Sequence, residues 1–267
     1  MDGIAIMRDT TQRLLRGFSI LMIFCISLVE AKEMRVGAYN IKHGRGMDGK
    51  LDLDRQVKVI EGMKVELLAL QEVDKHCQRS GNVDQAAYFA KALGMHHVFG
   101  KAIPLGKGEY GQAVLSKYPI VSSKVHRLPS VGEARIILEV VVEHPKFGQL
   151  SFCSVHYSFR SEEERFPQVM AFEKVVRGYR HPVILTGDFN ARPETKTMAH
   201  YRKEWQVVEK RGDRLTSPAD KPRSEIDYCV LRNFGEVEAV TEVVAEAMAS
   251  DHRPLVTEIR KDAGSKE

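Results

Sequence analysis

The segment 183–190 constrains the fold more than any other part of the sequence. It reads Val-Ile-Leu-Thr-Gly-Asp-Phe-Asn, so an apolar run leads directly to a carboxylate and an amide. An apolar run that stops abruptly is typical of a buried strand. In an extended segment Asp188 and Asn190 point the same way, and ligands of α/β proteins collect outside the carboxyl ends of strands. The segment therefore predicts a polar site at a strand end, although Gly, Asp and Asn also suit an ordinary turn.

The first thirty residues differ in kind from the rest of the chain. Basic residues precede an uncharged apolar run over residues 17–29, and a cleavage site is available before Lys32. This arrangement predicts a secretory signal peptide over residues 1–31. A membrane span needs about twenty apolar residues, so an uncleaved, membrane-tethered form is the weaker alternative. We therefore expect a single domain over residues 32–267 that is secreted or periplasmic after cleavage.

Net charge and cysteine content give little indication of function. The formal net charge of +4 is too small to indicate a nucleic-acid-binding protein by itself. Cleavage would leave Cys77, Cys153 and Cys229, so at least one thiol has no intramolecular partner. The spacing of these residues does not match a zinc site. Cys153 and Cys229 lie in strand-like runs, which predicts that they are small buried apolar residues.

The remaining segments alternate between strand-like and helix-like patterns. Strands are predicted over residues 34–39, 67–72, 111–116, 119–126, 134–142, 150–157, 183–188, 226–231, 237–244 and 255–259. Helices are predicted over residues 53–63, 85–93 and 162–179. The succession of short strands suggests antiparallel hairpins. Residues 191–221 are polar and charged with few apolar side chains, and a solvated face is expected there, with a phosphate-binding surface as the alternative.

Polar residues recur at the predicted strand ends, and their side chains suit one kind of chemistry. They are Asn40, Glu72, His156, Asp188, Asn190, Asp227, Asp251 and His252. Glu72 and Asp251 offer hard oxygen ligands, which suit Mg²⁺ or Mn²⁺ better than zinc. A histidine beside a metal-binding acid, with another carboxylate to fix its tautomer, suits activation of water. The pattern favours metal-assisted hydrolysis of a phosphate ester.

Short motifs in a fixed order carry a resemblance to a known family. They are Tyr39-Asn40-Ile41, Leu70-Gln71-Glu72-Val73, Gly111-x-Ala-x-Leu-Ser116-Lys-Tyr-Pro119, Val155-His156, Gly187-Asp188-Phe189-Asn190, Ile226-Asp227-Tyr228 and Ser250-Asp251-His252-Arg253-Pro254. With them the chain resembles the endonuclease/exonuclease/phosphatase superfamily, which has the deoxyribonuclease-I-like fold, and most of all its small secreted bacterial metal-dependent hydrolases. The resemblance covers essentially all of residues 32–267. It implies an α/β fold, a four-layer α/β/β/α sandwich of two mostly antiparallel sheets flanked by helices.

The resemblance implies which residues hold a metal ion and the phosphate. Glu72 would be the principal Mg²⁺ ligand and Asp251 a second metal ligand. Asn40 would help to place the metal and a phosphate oxygen, and Asn190 would bind the phosphate. Arg135, which follows an acid in a strand-like segment, is a further candidate for phosphate contact, with a structural role as the alternative.

The resemblance also implies which residues handle protons. Asp188 would position or deprotonate the attacking water. His252 would act as an acid or base or stabilise the phosphate, with Asp227 holding its ring through the other nitrogen. His156 would stabilise charge on the phosphoryl group or protonate the leaving oxygen. Taken singly, Asp227 could form an ordinary ion pair and His156 could be a core histidine. These two assignments therefore depend on the presence of all the motifs in family order.

The substrate stays open, because the superfamily acts on DNA, RNA, sphingomyelin and phosphoinositides with the same core. The expected partner is a phosphate ester, which could be a nucleic acid, a phospholipid headgroup or a small phosphodiester; no stable protein partner is implied, and a monomer is expected. The preferred function is a divalent-metal-dependent phosphodiesterase. The alternatives are a catalytically silent phosphate- or nucleic-acid-binding module and a sphingomyelinase-like lipid-headgroup phosphodiesterase. Four further residues are candidates for substrate contact, with a solvated role as the alternative: His43, Arg45, Arg79 and Gln85.

Overall fold

Two β-sheets lie face to face in the computed structural model of the protein, which describes residues 32–261. The predicted signal peptide, residues 1–31, lies outside these described residues. Within them, no helix is both long enough and apolar enough to cross a membrane. Cys77, Cys153 and Cys229 are buried free thiols, which confirms the prediction for the latter two.

The strands form one seven-stranded and one six-stranded sheet among the described residues. In spatial order, the first sheet contains β10 (Lys210–Arg211), β12 (Glu238–Val243), β13 (Leu255–Lys261), β1 (Lys32–Asn40), β2 (Leu67–Lys75), β4 (Gly108–Ser116) and β3 (His96–Leu105). The second contains β5 (Ile120–Arg127), β6 (Ile136–His144), β7 (Gly148–His156), β8 (Val183–Asp188), β11 (Asp227–Arg232) and β9 (Gln206–Val207). The pairs β1–β2, β7–β8 and β10–β12 are parallel, and the other described pairs are antiparallel. The prediction of two mostly antiparallel sheets is therefore confirmed.

The helices begin at side chains that cap them. They are α1 (Leu53–Met63), α2 (Gln85–Leu93), α3 (Glu162–Val176) and α4 (Lys196–Glu204). At each start a side-chain oxygen accepts a hydrogen bond from the backbone N–H three residues later, and the capping residues are Asp52, Asp84, Ser161 and Thr195. These bonds satisfy N–H groups that have no partner within the helix. The predicted bounds of α2 are confirmed, whereas α3 ends before the predicted residue 179.

Three layers of apolar side chains hold the sheets and helices together. Alternation along β1 turns Met34 and Val36 toward the space between the sheets, where they join Phe152 and Ile184. A second layer lies between the first sheet and helices α1 and α2, and Phe89 belongs to it. A third layer lies between the second sheet and helices α3 and α4. The four-layer α/β/β/α arrangement is thereby confirmed.

The expectation of a solvated face over residues 191–221 is wrong for part of that stretch. Met198, Tyr201 and Trp205 are buried against the second sheet. The spacing of the first two places them on one side of α4, and Trp205 directly follows the helix. The charged residues between them concealed this helical pattern. Lys210 is also buried, and an ion pair of 2.9 Å between its Nζ and Glu225 Oε1 compensates its charge. Strand β3 was likewise not predicted; it lies at the edge of the first sheet and alternates only weakly between buried and exposed side chains.

Candidate active site

The predicted polar residues collect at one edge of the sandwich because of how the strands pair. Asp188 ends β8, and the parallel neighbour β7 places His156 beside it. The antiparallel neighbour β11 places Asp227 on its other side. Asn40 ends β1 in the other sheet, and its Nδ2 donates to Asp188 Oδ2 across 3.2 Å. The two sheets therefore meet at the carboxylate of Asp188.

The carboxylate of Asp188 is buried and surrounded by nitrogen atoms. In addition to the bond from Asn40, its Oδ2 lies 3.5 Å from His156 Nε2 and 3.8 Å from His252 Nε2. Its Oδ1 accepts a hydrogen bond of 2.9 Å from the backbone N–H of Asn190. Burial raises the pKa of Asp188 above its usual range, although the positive charge of His252 acts in the opposite direction. This carboxylate is therefore a stronger base than an exposed aspartate.

His252 is oriented by Asp227. Its Nδ1 lies 3.0 Å from Asp227 Oδ2 and 3.2 Å from Oδ1, which leaves Nε2 directed toward Asp188. Burial alone would lower the pKa of His252, but the negative charges of Asp227 and Asp188 outweigh it and raise that pKa to about 10. The imidazole is therefore protonated at neutral pH and can donate from Nε2. The predicted association of Asp227 with the far nitrogen of His252 is present in the structure.

His156 has the opposite character. It is buried at the end of β7, and burial, together with the positive charges of Arg135 and His252, holds its pKa well below the usual range. His156 is therefore neutral at neutral pH, although its Nε2 contacts the same carboxylate oxygen as His252. One carboxylate thus lies between a charged and a neutral imidazole, and each can interact differently with a phosphoryl group.

Asn190 reaches the site through a turn and not through extended backbone. The strand predicted over residues 183–188 is present, but Asn190 has a φ of 48°, so the alternation does not continue to it. Its Nδ2 donates to the carbonyl of Tyr157 across 3.1 Å, and its side chain lines the central cavity. Gly187 has a φ of 138°, and a Cβ there would lie 2.4 Å from the carbonyl oxygen of Val155. The chain therefore requires glycine immediately before Asp188.

The prediction that Glu72 lies at a strand end is wrong, because β2 continues to Lys75. Glu72 lies within β2 at a bulge, where its φ is 59° and the pairing with β4 shifts by one residue. Simple alternation would place Glu72 on the helix-facing side with Leu68 and Leu70. The bulge instead turns its carboxylate into the cavity, where Oε1 accepts a hydrogen bond of 3.1 Å from Asn40 Nδ2.

The carboxylate of Glu72 offers oxygen ligands that fit a hard divalent cation, and Asn40 Oδ1, which accepts a bond of 3.1 Å from the backbone N–H of Lys42, could add another. Burial raises the pKa of Glu72. The hydrogen bond from Asn40 lowers that pKa, and the negative charge of Asp251 raises it further. A cation beside this carboxylate would relieve both effects. Asp251 itself does not line the cavity. Its Oδ2 forms an ion pair with Lys42 Nζ across 2.9 Å. A metal ion that used Asp251 would have to displace this ammonium group.

A second group of ligand atoms could also hold a cation. Ligand atoms of Asp188, Asp227 and His252 all lie within 4.8 Å of one another. A protonated His252 cannot offer a lone pair, however, and its Nδ1 is already engaged by Asp227. This group therefore fits a cation less well than the carboxylate of Glu72 does.

The cavity in front of these residues has a volume of about 350 Å³. It brings together Glu72, Asp188, Asn190, His156 and His252, and Arg135 also lines it. Two of the four additional candidates line the cavity, namely His43 and Arg79. The other two have structural contacts: Arg45 donates to Gly49, and Gln85 bonds to Asp74 and His43.

Several lining residues were not found from the sequence. They are Lys42, Ile103, Leu105, Tyr110, Glu133 and Phe159. Most lie on β3, on β4 or in loops that no motif covers. Phe159 had the clearest signal, since it is an aromatic residue set between Ser158 and Arg160 just after the strand that carries His156. Arg135 is buried at this side of the cavity, where its Nη1 lies 3.2 Å from Glu133 Oε1.

The chain matches a known protein family and is similar to several solved structures. The family model described as Endonuclease/Exonuclease/phosphatase family matches residues 37–252. A functionally unknown conserved protein from Enterococcus faecalis V583 is 18% identical with a TM-score of 0.72, over 86% of this chain and 100% of that one. An endonuclease/exonuclease/phosphatase from Beutenbergia cavernae DSM 12333 is 21% identical with a TM-score of 0.69, over 86% and 72% of the two chains. A mannosyl-6-phosphatase from Bacteroides thetaiotaomicron VPI-5482 is 16% identical with a TM-score of 0.68, over 85% and 99%.

Proposed function

Because this chain belongs to the endonuclease/exonuclease/phosphatase family, we propose that it is a divalent-metal-dependent phosphodiesterase. It would hydrolyse a P–O bond by in-line attack of an activated water. The observation that carries this proposal is the arrangement around Asp188 Oδ2, where Asn40, His156 and His252 converge within 3.8 Å. A carboxylate that Asn40 holds by a hydrogen bond and that two imidazole nitrogens flank can orient a water and accept its proton.

The two imidazoles would act on the phosphoryl group. His252 donates from Nε2 while Asp227 holds its ring, so it can stabilise negative charge that develops on a phosphate oxygen. His156 can donate a hydrogen bond to another phosphoryl oxygen or to the leaving oxygen. Asn190 and Arg135 line the same cavity and would fix the orientation of the phosphate. The protein groups therefore contribute mainly positioning and charge neutralisation.

A metal ion would be held by Glu72 and Asn40, with Asp251 as a further ligand once Lys42 is displaced. We propose Mg²⁺ or Mn²⁺, since the donors are oxygens. When bound, such an ion supplies positive charge that offsets the charge of the phosphate. Asn40 donates to both Glu72 and Asp188, so it would hold the metal-binding carboxylate at a fixed distance from the water-activating carboxylate.

The test is a substrate panel with matched variants. The purified protein is assayed on bis-(p-nitrophenyl) phosphate, a phosphomonoester, plasmid DNA, RNA and sphingomyelin, with Mg²⁺, Mn²⁺ or a chelator. Asp188→Ala and His252→Ala should each lower the rate on the preferred substrate by about a hundred- to ten-thousand-fold, because each removes a group that transfers or donates a proton. The chelator should abolish turnover.

The control for His252→Ala is His97→Ala, which removes an exposed imidazole outside the cavity and should leave the rate unchanged. Metal-independent turnover, or a loss of only about twofold at His252, would contradict the mechanism. Absence of hydrolysis across the panel would instead favour the silent phosphate-binding module. Turnover confined to sphingomyelin would identify the lipid-headgroup phosphodiesterase.

A further inference from the structure

The cavity has an apolar part that the proposed reaction does not use. Besides the polar cluster around Asp188, it is lined by Ile103, Leu105, Tyr110 and Phe159. The first three belong to β3 and β4, and Phe159 lies in the loop after β7. A phosphate group alone has no use for apolar surface. These side chains therefore point to a substituent carried by the phosphate.

Phe159 is exposed in an unusual way for this molecule. It keeps 66% of its surface accessible, and among the described large apolar side chains that are exposed it is the only aromatic one. The guanidinium carbon of Arg135 lies 5.8 Å from the centre of its ring. Arg135 is itself buried at the cavity wall, so the ring and the candidate phosphate contact form one unit.

The loop that carries Phe159 is held at its base. The backbone N–H of Ser158 donates to Gln168 Oε1 across 2.9 Å. The carbonyl of Ser158 accepts a bond of 2.7 Å from Arg165 Nη1. Both partners lie on α3, which is anchored in the core. The segment that presents the ring is thus fixed before a ligand arrives, and binding requires little further ordering.

We infer that Phe159 forms a stacking subsite for a planar ring attached to the phosphate that the active site binds, such as an aryl group or a nucleobase. The inference rests on the proposed function, because the ring is recognised only as part of a phosphate ester. An accessible aromatic face beside a guanidinium group favours planar aromatic rings over saturated ones, because two aromatic rings attract each other beyond the burial of apolar surface. Phe159 is then a specificity-determining residue.

The test measures binding without turnover. Calorimetric titrations in Mg²⁺ compare phenylphosphonate, cyclohexylphosphonate and methylphosphonate, which cannot be hydrolysed at a P–O–C bond. The wild-type protein should bind phenylphosphonate at least about fivefold more tightly than cyclohexylphosphonate. Phe159→Ala should reduce that ratio toward one without weakening methylphosphonate, and Phe159→Tyr should keep it. The control Val121→Ala changes another exposed apolar residue outside the cavity and should match the wild type.

A second pair of ligands identifies the source of the ring. The non-hydrolysable 5′-phosphonate analogue of thymidine 5′-monophosphate, compared with that of deoxyribose 5-phosphate, reports a nucleobase, whereas phenylphosphonate reports a ring close to the phosphorus. A preference lost in Phe159→Ala in either pair supports the subsite. Equal ratios in wild type and Phe159→Ala for both pairs, or failure of the wild type to bind any of these ligands, would overturn it. If the ring preference holds and the substrate panel shows no hydrolysis, the proposed function fails while the subsite stands.

Discussion

At the scale of single residues, the surroundings decide what each ionisable side chain can do. His156 and His252 contact the same oxygen of Asp188, yet one is neutral and the other protonated at neutral pH. The difference arises because Asp227 faces His252, whereas the positive charges of Arg135 and His252 act on His156. The same physical reasoning applies to carboxylates outside the active site, among which Glu66 gives the clearest example.

Glu66 stabilises the fold in a pH-dependent way. Burial would raise its pKa, but hydrogen bonds from His144, from the hydroxyl of Tyr118 and from the backbone of Arg35 lower that pKa from 4.5 to about 2. The backbone bond measures 2.9 Å and the bond from His144 Nε2 3.2 Å. A depressed pKa contributes stability that is present above the unfolded value and is lost as the pH falls from about 4.5 to about 2.

We therefore expect Glu66→Gln to lower the free energy of unfolding at pH 7 by about 1–2 kcal/mol, a value reduced from the full shift because the side chain is partly solvated. The deficit should shrink as the pH falls below 4.5, since the wild-type carboxylate then gains a proton as well. Urea denaturation at a series of pH values measures it. Glu61→Gln, at an exposed helix position, is the control. A deficit that stays constant down to pH 2 would refute the assignment.

At the scale of elements, two β-bulges shape the site, one on each of the strands β2 and β3 that flank β4. On β2 the bulge is at Glu72, and on β3 the pairing with β4 shifts between Lys101 and Ile103. Gly111 of β4 lies opposite both irregularities, as the partner of Val73 and of Lys101. A Cβ at Gly111 would lie only 1.9 Å from the carbonyl oxygen of Gly100. The bare backbone of Gly111 therefore allows β3 to approach β4 closely, next to the point where β4 pairs with the bulge that carries Glu72.

Replacement of Gly111 should damage stability and activity together. We expect Gly111→Ala to cost about 1–3 kcal/mol of unfolding free energy, because β3 must move away from the new methyl group. The rate should fall at least about tenfold, since the neighbouring bulge that orients Glu72 is disturbed. Gly62→Ala, in α1 with no atom within 4 Å of the added Cβ, should be neutral or slightly stabilising. Thermal unfolding and steady-state kinetics measure both effects; a fully active, equally stable Gly111→Ala would contradict this role.

The elements that the sequence predicted are those with local signals. The end of α2 at Gly94 follows from capping chemistry, and so does the start of α1, for which Asp52 and Asp54 are both candidates and Asp52 is the cap in the structure. The run 183–188 follows from its apolar content. Strand β3 and helix α4 have no such signals, because one lies at a sheet edge and the other hides its apolar side among charges. Tertiary contacts decide their structure, and these cannot be deduced from neighbouring residues.

The site was predictable to a similar extent. Ordered motifs identified Asp188, His252 and Asp227, and the structure brings all of these together. The orientation of Glu72 depends on a bulge, which alternation does not predict. The ion pair of Asp251 with Lys42 and the position of Phe159 at the cavity depend on how distant loops approach each other. Residue identity was therefore accessible from the sequence, whereas side-chain direction was not.

At the scale of the whole molecule, the site is divided between the two sheets. Asn40 and Glu72 belong to the first sheet, whereas His156, Asp188 and Asp227 belong to the second. Their relative positions depend on the apolar layer between the sheets. The outer layers, which contact the helices, influence the site less directly. Packing between the sheets should therefore affect catalysis more than equivalent packing elsewhere.

Two equivalent substitutions in the second sheet test this division. Ile184 is buried in the layer between the sheets, and Ile137 is buried against the helices. Ile184→Val and Ile137→Val should each cost about 0.5–1.5 kcal/mol of unfolding free energy, since each removes one buried methyl group. Only Ile184→Val should also lower kcat/KM, by about two- to tenfold, because small displacements of one half of the site weaken alignment. Equal kinetic effects of the two variants would count against the division.

The hydrogen bond from Asn40 to Asp188 also bears on the mechanics of the molecule, since it joins one sheet to the other at their common edge. Two stacked sheets can shift parallel to each other in a shear motion. Such a motion would change the distances between the residues of the first sheet and those of the second sheet in the site. A ligand held by both halves opposes this sliding. Substrate binding would therefore stiffen the sandwich as a whole, far beyond the few residues that the substrate contacts.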